Sequence, residues 1–188
     1  HLESLRLIPD LQVLRPCDRV ECYAAYIMAL SHKAPSLIAL SRQNLPQLSA
    51  DLDIKSYEEF GAKIMWQSGN LKGDYVAIFA TGSEVSIAIE SGQKLAAEGY
   101  SAVVISVLEC NKLIENKSVF MGKFLPHPPI LKVAIEAGRK GKWSEIIGSD
   151  GMFFGCNHFG VSAPAIDVYK HFGLTVEDIV TGVMLKLS

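Results

Sequence analysis

The feature that most constrains the fold is the continuous apolar segment Tyr75–Ala80, which a short turn and an amphipathic helix pattern follow directly. An uninterrupted apolar run of this length is typical of a strand buried on both faces of a parallel sheet. Small and apolar residues then recur at helical spacing until Gly99, where we expect the helix to end: Val85, Ala88, Ile89, Gly92, Leu95 and Ala96.

The same alternation of strand and helix continues to the end of the chain. Further strands are predicted over 102–108, 130–136 and 152–156, and helices over 139–148, 162–172 and 176–187, the last with a capping box at Thr175. We therefore predict an α/β fold over 74–188, a three-layer sandwich on a mainly parallel sheet of about five strands. The strands 75–80 and 102–108 should be neighbours, because a strand–helix–strand unit of this length closes right-handed onto its own sheet.

The first 73 residues are less regular. Asp18 and Glu21 form a predicted capping box that opens a helix, and Ser36–Leu40 reads as a short buried strand before a polar turn. Residues 49–73 are charged and only weakly periodic, so we interpret them as a linker with one helical turn around 56–60. The predicted organisation is 1–48, the linker 49–73 and the domain 74–188.

Composition excludes several classes of protein. The net charge of -2 comes from 18 basic and 20 acidic residues that are well mixed, so no basic stripe exists for nucleic acid. No apolar run approaches the ~20 residues of a membrane span, and we expect neither membrane nor nucleic-acid partners. The chain begins without Met and without a signal peptide pattern, so we expect a processed, truncated or excised chain. Cysteines 17, 22, 110 and 156 lack zinc-site spacing and are predicted to be reduced thiols in the cytoplasm.

Few residues stand out chemically. The turn Thr81–Glu84 could bind an anion, but it lacks the glycines and lysine of the known phosphate loops and reads better as a tight turn. Cys156 and His158 could form a nucleophile–base pair, although nothing in the sequence orients them. Glu136 ends a buried strand and is expected to cap a helix or to pair with Arg139.

Arg42 is the best single candidate for a binding residue. It follows a predicted buried strand, where ligand clefts form in α/β proteins, and its guanidinium offers a planar fork for phosphate oxygens. Ser41 and Gln43 flank it with neutral hydrogen-bonding groups as weaker candidates, while a solvated surface arginine is the alternative. No catalytic, cofactor-binding or metal-ligating residue is assigned.

Several short blocks resemble the transketolase family in order and approximate spacing. They are Arg15–Asp18, Leu40–Leu48, Ala80–Val85, Glu136–Gly138, Phe159–Pro164 and Phe172–Thr175. The resemblance covers nearly the whole chain, with Ser41–Pro46 the most family-specific part, and it departs from the family pattern between Glu109 and Phe124. It implies that 1–48 closes a pyrimidine-binding domain and that 74–188 is the family's C-terminal domain.

The resemblance also implies an activity for the intact enzyme. Transketolases transfer a two-carbon ketol unit between sugar phosphates in the pentose phosphate pathway, as homodimers with thiamine diphosphate and a divalent metal. The family's phosphate-contacting arginine corresponds to Arg42, whereas its metal motif, activating glutamate and substrate-binding histidines lie upstream. We therefore expect no cofactor in this fragment and no activity from it. The alternative is a non-catalytic binding or dimer-assembly module; a cysteine hydrolase ranks last because no ordered triad is present.

Overall fold

The computed structural model describes residues 1–49, 53–69 and 71–188, and its strands form a two-stranded and a five-stranded sheet. We call the elements around the first sheet the N-terminal unit and those around the second the sheet domain. The N-terminal unit contains α1 (Leu2–Arg6), β1 (Gln12–Leu14), α2 (Arg19–Ser31) and β2 (Ser36–Ile38). The strands of the sheet domain are β3 (Ala62–Gln67), β4 (Tyr75–Ala80), β5 (Ser101–Val107), β6 (Leu131–Glu136) and β7 (Met152–Gly155). Its helices are α3 (Ile54–Phe60), α4 (Glu84–Ala97), α5 (Cys110–Glu115), α6 (Lys117–Phe124), α7 (Trp143–Ile147), α8 (Ala165–His171) and α9 (Val176–Leu187).

The five-stranded sheet has the order β3-β5-β4-β6-β7, and only β3 runs antiparallel to its neighbour. The predicted neighbours β4 and β5 pair in parallel, with Tyr75 opposite Ser101. All six residues of β4 are buried, as expected of a central strand covered on both faces. The α/β prediction with a mostly parallel sheet of about five strands is confirmed.

Two apolar layers cover the faces of the sheet and make the three-layer arrangement. Ala77, Phe79 and Ile105 face one layer with Trp143 and Phe120 from the helices α7 and α6. On the other face, side chains of the strands pack against side chains of α4 and α9. The strand residues are Val76, Ile78, Val104 and Val133, and the helix residues are Val85, Leu95, Ile179 and Val183. Within the described residues, no helix combines the length and apolar character needed to cross a membrane.

The predicted linker 49–73 contains more regular structure than the one helical turn expected around 56–60. Residues 54–60 form α3, where that turn was predicted, and 62–67 form β3, an edge strand of the sheet that was not predicted. A register shift between Ile64 and Trp66 explains the error. Ala62 and Ile64 face one apolar layer whereas Trp66 faces the other, so the bulge hides the alternation that marks a strand. Residues 50–52 and 70 of the predicted linker lie outside the described residues.

Two predicted helices begin later in the structure than expected, and one predicted cap residue forms no capping hydrogen bond. The helix predicted from Ser162 begins only at Ala165, because Pro164 has extended ψ and disfavours helical geometry in the residue before it. Ser83 makes no side-chain cap to α4. The helix predicted over 139–148 is limited to Trp143–Ile147.

Two predicted caps are present. Thr175 accepts a hydrogen bond from the amide of Asp178 at the start of α9. Asp18 accepts from the amide of Glu21, but the Glu21 carboxylate accepts from the amide of Cys17 rather than from that of Asp18. Burial raises the pKa of Glu21, which also accepts a hydrogen bond from the Tyr57 hydroxyl on α3.

Gly61→Ala tests the junction between α3 and β3. Gly61 has φ of 68°, and a Cβ there would lie 2.5 Å from the Glu109 carbonyl oxygen. Left-handed strain of about 1–2 kcal/mol and the steric overlap should together lower the free energy of unfolding by about 2–4 kcal/mol, measured by urea titration. Gly69→Ala is the matched control, because Gly69 also has positive φ but no atom lies within 4 Å of the added Cβ. If both variants lower the free energy of unfolding by the same amount, the steric overlap at Gly61 does not contribute.

Candidate functional site

Three buried charged residues and the partly buried Arg15 lie where the N-terminal unit meets the five-stranded sheet, and we call them the buried charge cluster: Arg6, Arg15, Glu84 and Glu136. Arg6 ends α1 and Arg15 follows β1, while Glu84 begins α4 and Glu136 ends β6. The strands β4 and β6 are parallel neighbours, so the turns that follow them share one edge of the sheet. Clefts in α/β proteins form at this carboxyl edge.

Arg6 and Glu136 form a two-pronged ion pair inside the protein. Two guanidinium nitrogens donate to the two carboxylate oxygens at 2.7 Å each, and Trp143 Nε1 donates to Oε2 of Glu136 at 2.6 Å. The side chains are 2% and 1% exposed. Burial alone would raise the pKa of Glu136, but the hydrogen bonds and charge of Arg6 outweigh it and lower that pKa below its usual value. Glu136 is therefore an ionised carboxylate in the core.

The second pair of the cluster, Arg15 and Glu84, connects three elements. Arg15 Nη1 donates to Glu84 Oε2 and, at 2.9 Å, to the carbonyl oxygen of Thr81. The other oxygen of Glu84 accepts from the Tyr169 hydroxyl at 2.6 Å, and the Ala137 amide donates to Oε2 at 3.0 Å. Burial and the charge of Glu84 raise the pKa of Tyr169, which stays a hydroxyl donor. Helix α8 is thus joined to the turn before α4.

Among the described residues, the sequence candidates for a general base or a nucleophile at this edge of the sheet do not form a pair. Glu136 pairs with Arg6 instead of Arg139, whose Nη1 donates to the carbonyl oxygen of Asn157 at 2.6 Å. Burial raises the pKa of the Cys156 thiol, which is the opposite of what an activated nucleophile needs. His158 is exposed and makes no hydrogen bond to Cys156 in the described part of the chain. Cys156 and His158 therefore do not form the nucleophile–base pair that their spacing in the sequence suggested.

A cavity of about 330 Å³ opens beside the cluster, and its lining includes residues from α8 and from the loop that carries Arg42 (residues 40–46). Ser41 and Gln43 of that loop line it together with Arg15, Ser83 and Tyr169. Arg42 itself is exposed and does not line the cavity. The structure therefore brings the weak candidates Ser41 and Gln43 next to the cluster and leaves the Arg42 guanidinium facing solvent.

Sequence reasoning missed most of this arrangement. Arg6 and Tyr169 lie in no recognisable motif, and Arg15 stands out in the sequence only as part of the block Arg15–Asp18. Glu84 and Glu136 were noted, but their partners lie 69 and 130 positions away in the chain. Side-chain pairs at such separations leave no local periodic signal, so only the assembled fold reveals them.

Comparison with known proteins identifies the family. Residues 61–175 match the description "Transketolase-like TK C-terminal domain", and residues 1–47 match "Transketolase, pyrimidine binding domain". The chain belongs to the transketolase family. The chloroplastic transketolase of Craterostigma plantagineum is 40% identical over 181 residues, which are 96% of this chain and 34% of that relative. The transketolase of Sinorhizobium medicae is 38% identical over 96% of this chain and 26% of its own length.

Solved transketolases share the fold. Pichia stipitis transketolase with sedoheptulose 7-phosphate superposes with a TM-score of 0.85 and 29% identity, over 98% of this chain and 26% of that one. Leishmania mexicana transketolase gives 0.83 and 32%, over 97% of this chain and 26% of that one. The chain thus spans between about a quarter and a third of the length of these relatives. Three of the blocks that carry the family resemblance, 15–18, 80–85 and 136–138, meet at the buried charge cluster.

Glu136→Gln tests the buried pair. The amide leaves the Arg6 guanidinium without its countercharge, which should lower the free energy of unfolding at pH 7 by about 3–5 kcal/mol. The pKa of Glu136 is lower in the folded than in the unfolded chain. Its stabilisation is therefore complete above about pH 5 and is lost as the pH falls through the lowered value. Urea titrations between about pH 5 and pH 3 should give a smaller loss of stability for the variant than for the parent chain.

The control is Glu59→Gln, which removes an exposed pair with Lys123 at 3.1 Å. Exposed pairs contribute about 0–1 kcal/mol, so this variant should keep nearly the parent stability and the parent pH dependence. An unchanged pH dependence in Glu136→Gln would show that the cluster does not carry the acid sensitivity.

Proposed function

We propose that the chain is the C-terminal part of a transketolase that transfers a two-carbon ketol unit between phosphorylated sugars in the pentose phosphate pathway. Family membership over both matched segments supports this activity. The single observation that carries the role of this chain is Arg42, an exposed arginine in the family-specific loop whose neighbouring residues Ser41 and Gln43 line the cavity. Family membership favours this function over a non-catalytic assembly module.

Arg42 is the proposed contact to the sugar phosphate. It makes no hydrogen bond or ion pair within the described part of the chain, so its guanidinium is available to a ligand. Arginine presents parallel donors that match two phosphate oxygens, and such charge-assisted bonds are among the strong ones. Ser41 and Gln43 are weaker candidates for the sugar hydroxyls, since both line the adjacent cavity. A related transketolase has been solved with sedoheptulose 7-phosphate, a ligand of this class.

Thiamine diphosphate and a divalent metal would be held elsewhere in the intact enzyme. The described residues contain no group of three or more His, Cys, Asp or Glu side chains that could hold a metal ion. The buried carboxylates near the cleft, Glu84 and Glu136, are already paired with Arg15 and Arg6. We therefore infer that the ligands of the cofactor lie in the part of the enzyme upstream of this chain.

Three further expectations stay predictions. We propose a homodimer as the working form of the intact enzyme and the cytoplasm as its compartment, although the relative from Craterostigma plantagineum is chloroplastic. We also propose the division into a pyrimidine-domain end at 1–48 and a C-terminal domain at 74–188. The strand β3 then extends the sheet of the second domain into the intervening segment.

Arg42→Ala in the intact enzyme should raise KM for a phosphorylated ketol donor about tenfold to a hundredfold, since a charge-assisted arginine–phosphate bond contributes about 1.5–3 kcal/mol. KM for an unphosphorylated ketol donor should stay nearly constant. Arg42→Lys should recover part of the loss, because an ammonium group lacks the two-pronged geometry. Steady-state kinetics with both donors measures these effects.

The control is Arg19→Ala, which removes another exposed arginine of the same unit. It should leave the ratio of the two KM values unchanged, so a general effect of positive charge can be separated from a phosphate contact. Equal losses for both donors in Arg42→Ala would remove Arg42 from the site.

Thiamine diphosphate binding by the 188-residue chain itself is the second test. We expect isothermal titration calorimetry with thiamine diphosphate and Mg²⁺ to detect no binding at micromolar affinity. Such a metal needs a cage of carboxylate and carbonyl ligands, and we propose that other parts of the enzyme supply it. The intact enzyme is the positive control in the same buffer. Saturable micromolar binding to the chain alone would refute the proposed location of the cofactor site.

A further inference from the structure

The carboxylate of Asp18 connects the start of α2 to the downstream end of the loop that carries Arg42. One oxygen, Oδ1, accepts from the Glu21 amide at 2.9 Å and caps the helix. The other, Oδ2, accepts from Gln47 Nε2 at 2.9 Å, from the Leu48 amide at 3.1 Å and from the Ser49 amide at 2.7 Å. Asp18 is 6% exposed, so these four donors replace water around the carboxylate.

The loop is fixed at both ends and sparsely bonded between them. At its upstream end the Ala39 amide donates to the Leu14 carbonyl oxygen at 2.8 Å, which continues the pairing of β1 and β2. Across residues 40–46 the described hydrogen bonds reduce to one, from Ser41 Oγ to the Gln43 carbonyl oxygen at 3.1 Å. The conformation of this loop therefore depends on its two attachment points, of which Asp18 supplies the second.

We propose that Asp18 is a positioning residue for substrate phosphate: it holds residues 47–49 so that Arg42 is presented in one place. The inference rests on the proposed function of Arg42 as the phosphate contact. A loop released at one end samples more backbone conformations. The ligand must then order the loop when it binds, and the loss of conformational entropy weakens binding. Fixing the loop beforehand moves that cost from binding to folding.

A helix cap alone does not explain the geometry. Capping needs one acceptor oxygen, and serine caps a helix about as well as aspartate. Here the second oxygen of Asp18 is used entirely by the loop. Asp18→Ser keeps an acceptor for the Glu21 amide but lacks the second oxygen that the loop needs. The two roles can therefore be separated by one substitution.

The experiment uses Asp18→Ser in the intact enzyme. We expect KM for a phosphorylated ketol donor to rise about threefold to tenfold, with kcat and the KM for an unphosphorylated donor unchanged, because a displaced binding group weakens only the contact that it makes. Gln47→Glu attacks the same contact from the loop side, since it places a second carboxylate against Oδ2 without touching the cap. Like Asp18→Ser, it should raise KM for the phosphorylated donor and leave KM for the unphosphorylated donor unchanged.

Thr175→Ala is the matched control. It removes the N-cap of α9, which is a comparable loss of stability at a side chain whose described hydrogen bonds go to Asp178 and not to residues 40–49. Its melting temperature should fall, while the ratio of KM values for the two donors should stay that of the parent enzyme. If Asp18→Ser changes both donors alike, or behaves as Thr175→Ala does, Asp18 is a cap only and the inference is wrong.

The double variant separates this inference from the proposed function. With Arg42→Ala present, adding Asp18→Ser should cause no further selective loss, because no guanidinium remains to be positioned. If KM for the phosphorylated donor instead rises in the double variant by the product of the two single effects, Asp18 acts independently of Arg42 and the inference is overturned. An unselective Arg42→Ala would instead refute the phosphate contact itself, and with it this role of Asp18.

Discussion

Arg15 joins the N-terminal unit to the carboxyl edge of the sheet through both its main chain and its side chain. Its amide donates to the Leu108 carbonyl oxygen at 3.0 Å, and its carbonyl oxygen accepts from the Gly82 amide at 3.1 Å. The guanidinium then donates to Glu84. Gly82 has φ of 57°, and a Cβ there would lie 2.9 Å from the Arg15 side chain. The turn before α4 therefore needs glycine for its backbone angle and for the close approach of Arg15.

The buried charge cluster has two positive and two negative side chains, so its charges cancel where water is excluded. Apolar residues of similar volume could give as much stability, because desolvation offsets much of the attraction in a buried pair. The two-pronged bond between Arg6 and Glu136 does something that apolar contact cannot, since it fixes a distance and an angle. The N-terminal unit is thereby held in one orientation against β6. Ser41 and Tyr169, which both line the cavity, are therefore also held in fixed positions relative to each other.

The parts of the fold that were predictable from sequence are those with a local signal. The apolar run of β4 and the Thr175 N-cap of α9 each lie within a few residues and were found correctly. The strand β3 was missed because its bulge sends Ile64 and Trp66 into different apolar layers. The candidate site was less predictable, because the position of Arg42 in a loop does not by itself mark a phosphate contact, and its assignment rests on the family resemblance. The pairing of Arg6 with Glu136 leaves no trace in sequence at all.

Burial and pairing distinguish the arginines of the N-terminal unit. Arg6 is 3% exposed and paired with Glu136, and the side chain of Arg15, paired with Glu84, is 13% exposed. Arg42 is exposed and, within the described chain, unpaired. A buried guanidinium must have a carboxylate partner, whereas an exposed one tolerates having none. An internal carboxylate at Arg42 would also compete with phosphate for the same donors. The nearby carboxylate of Asp18 is instead saturated by four N–H groups, so it can hold the loop without neutralising the arginine that the loop presents.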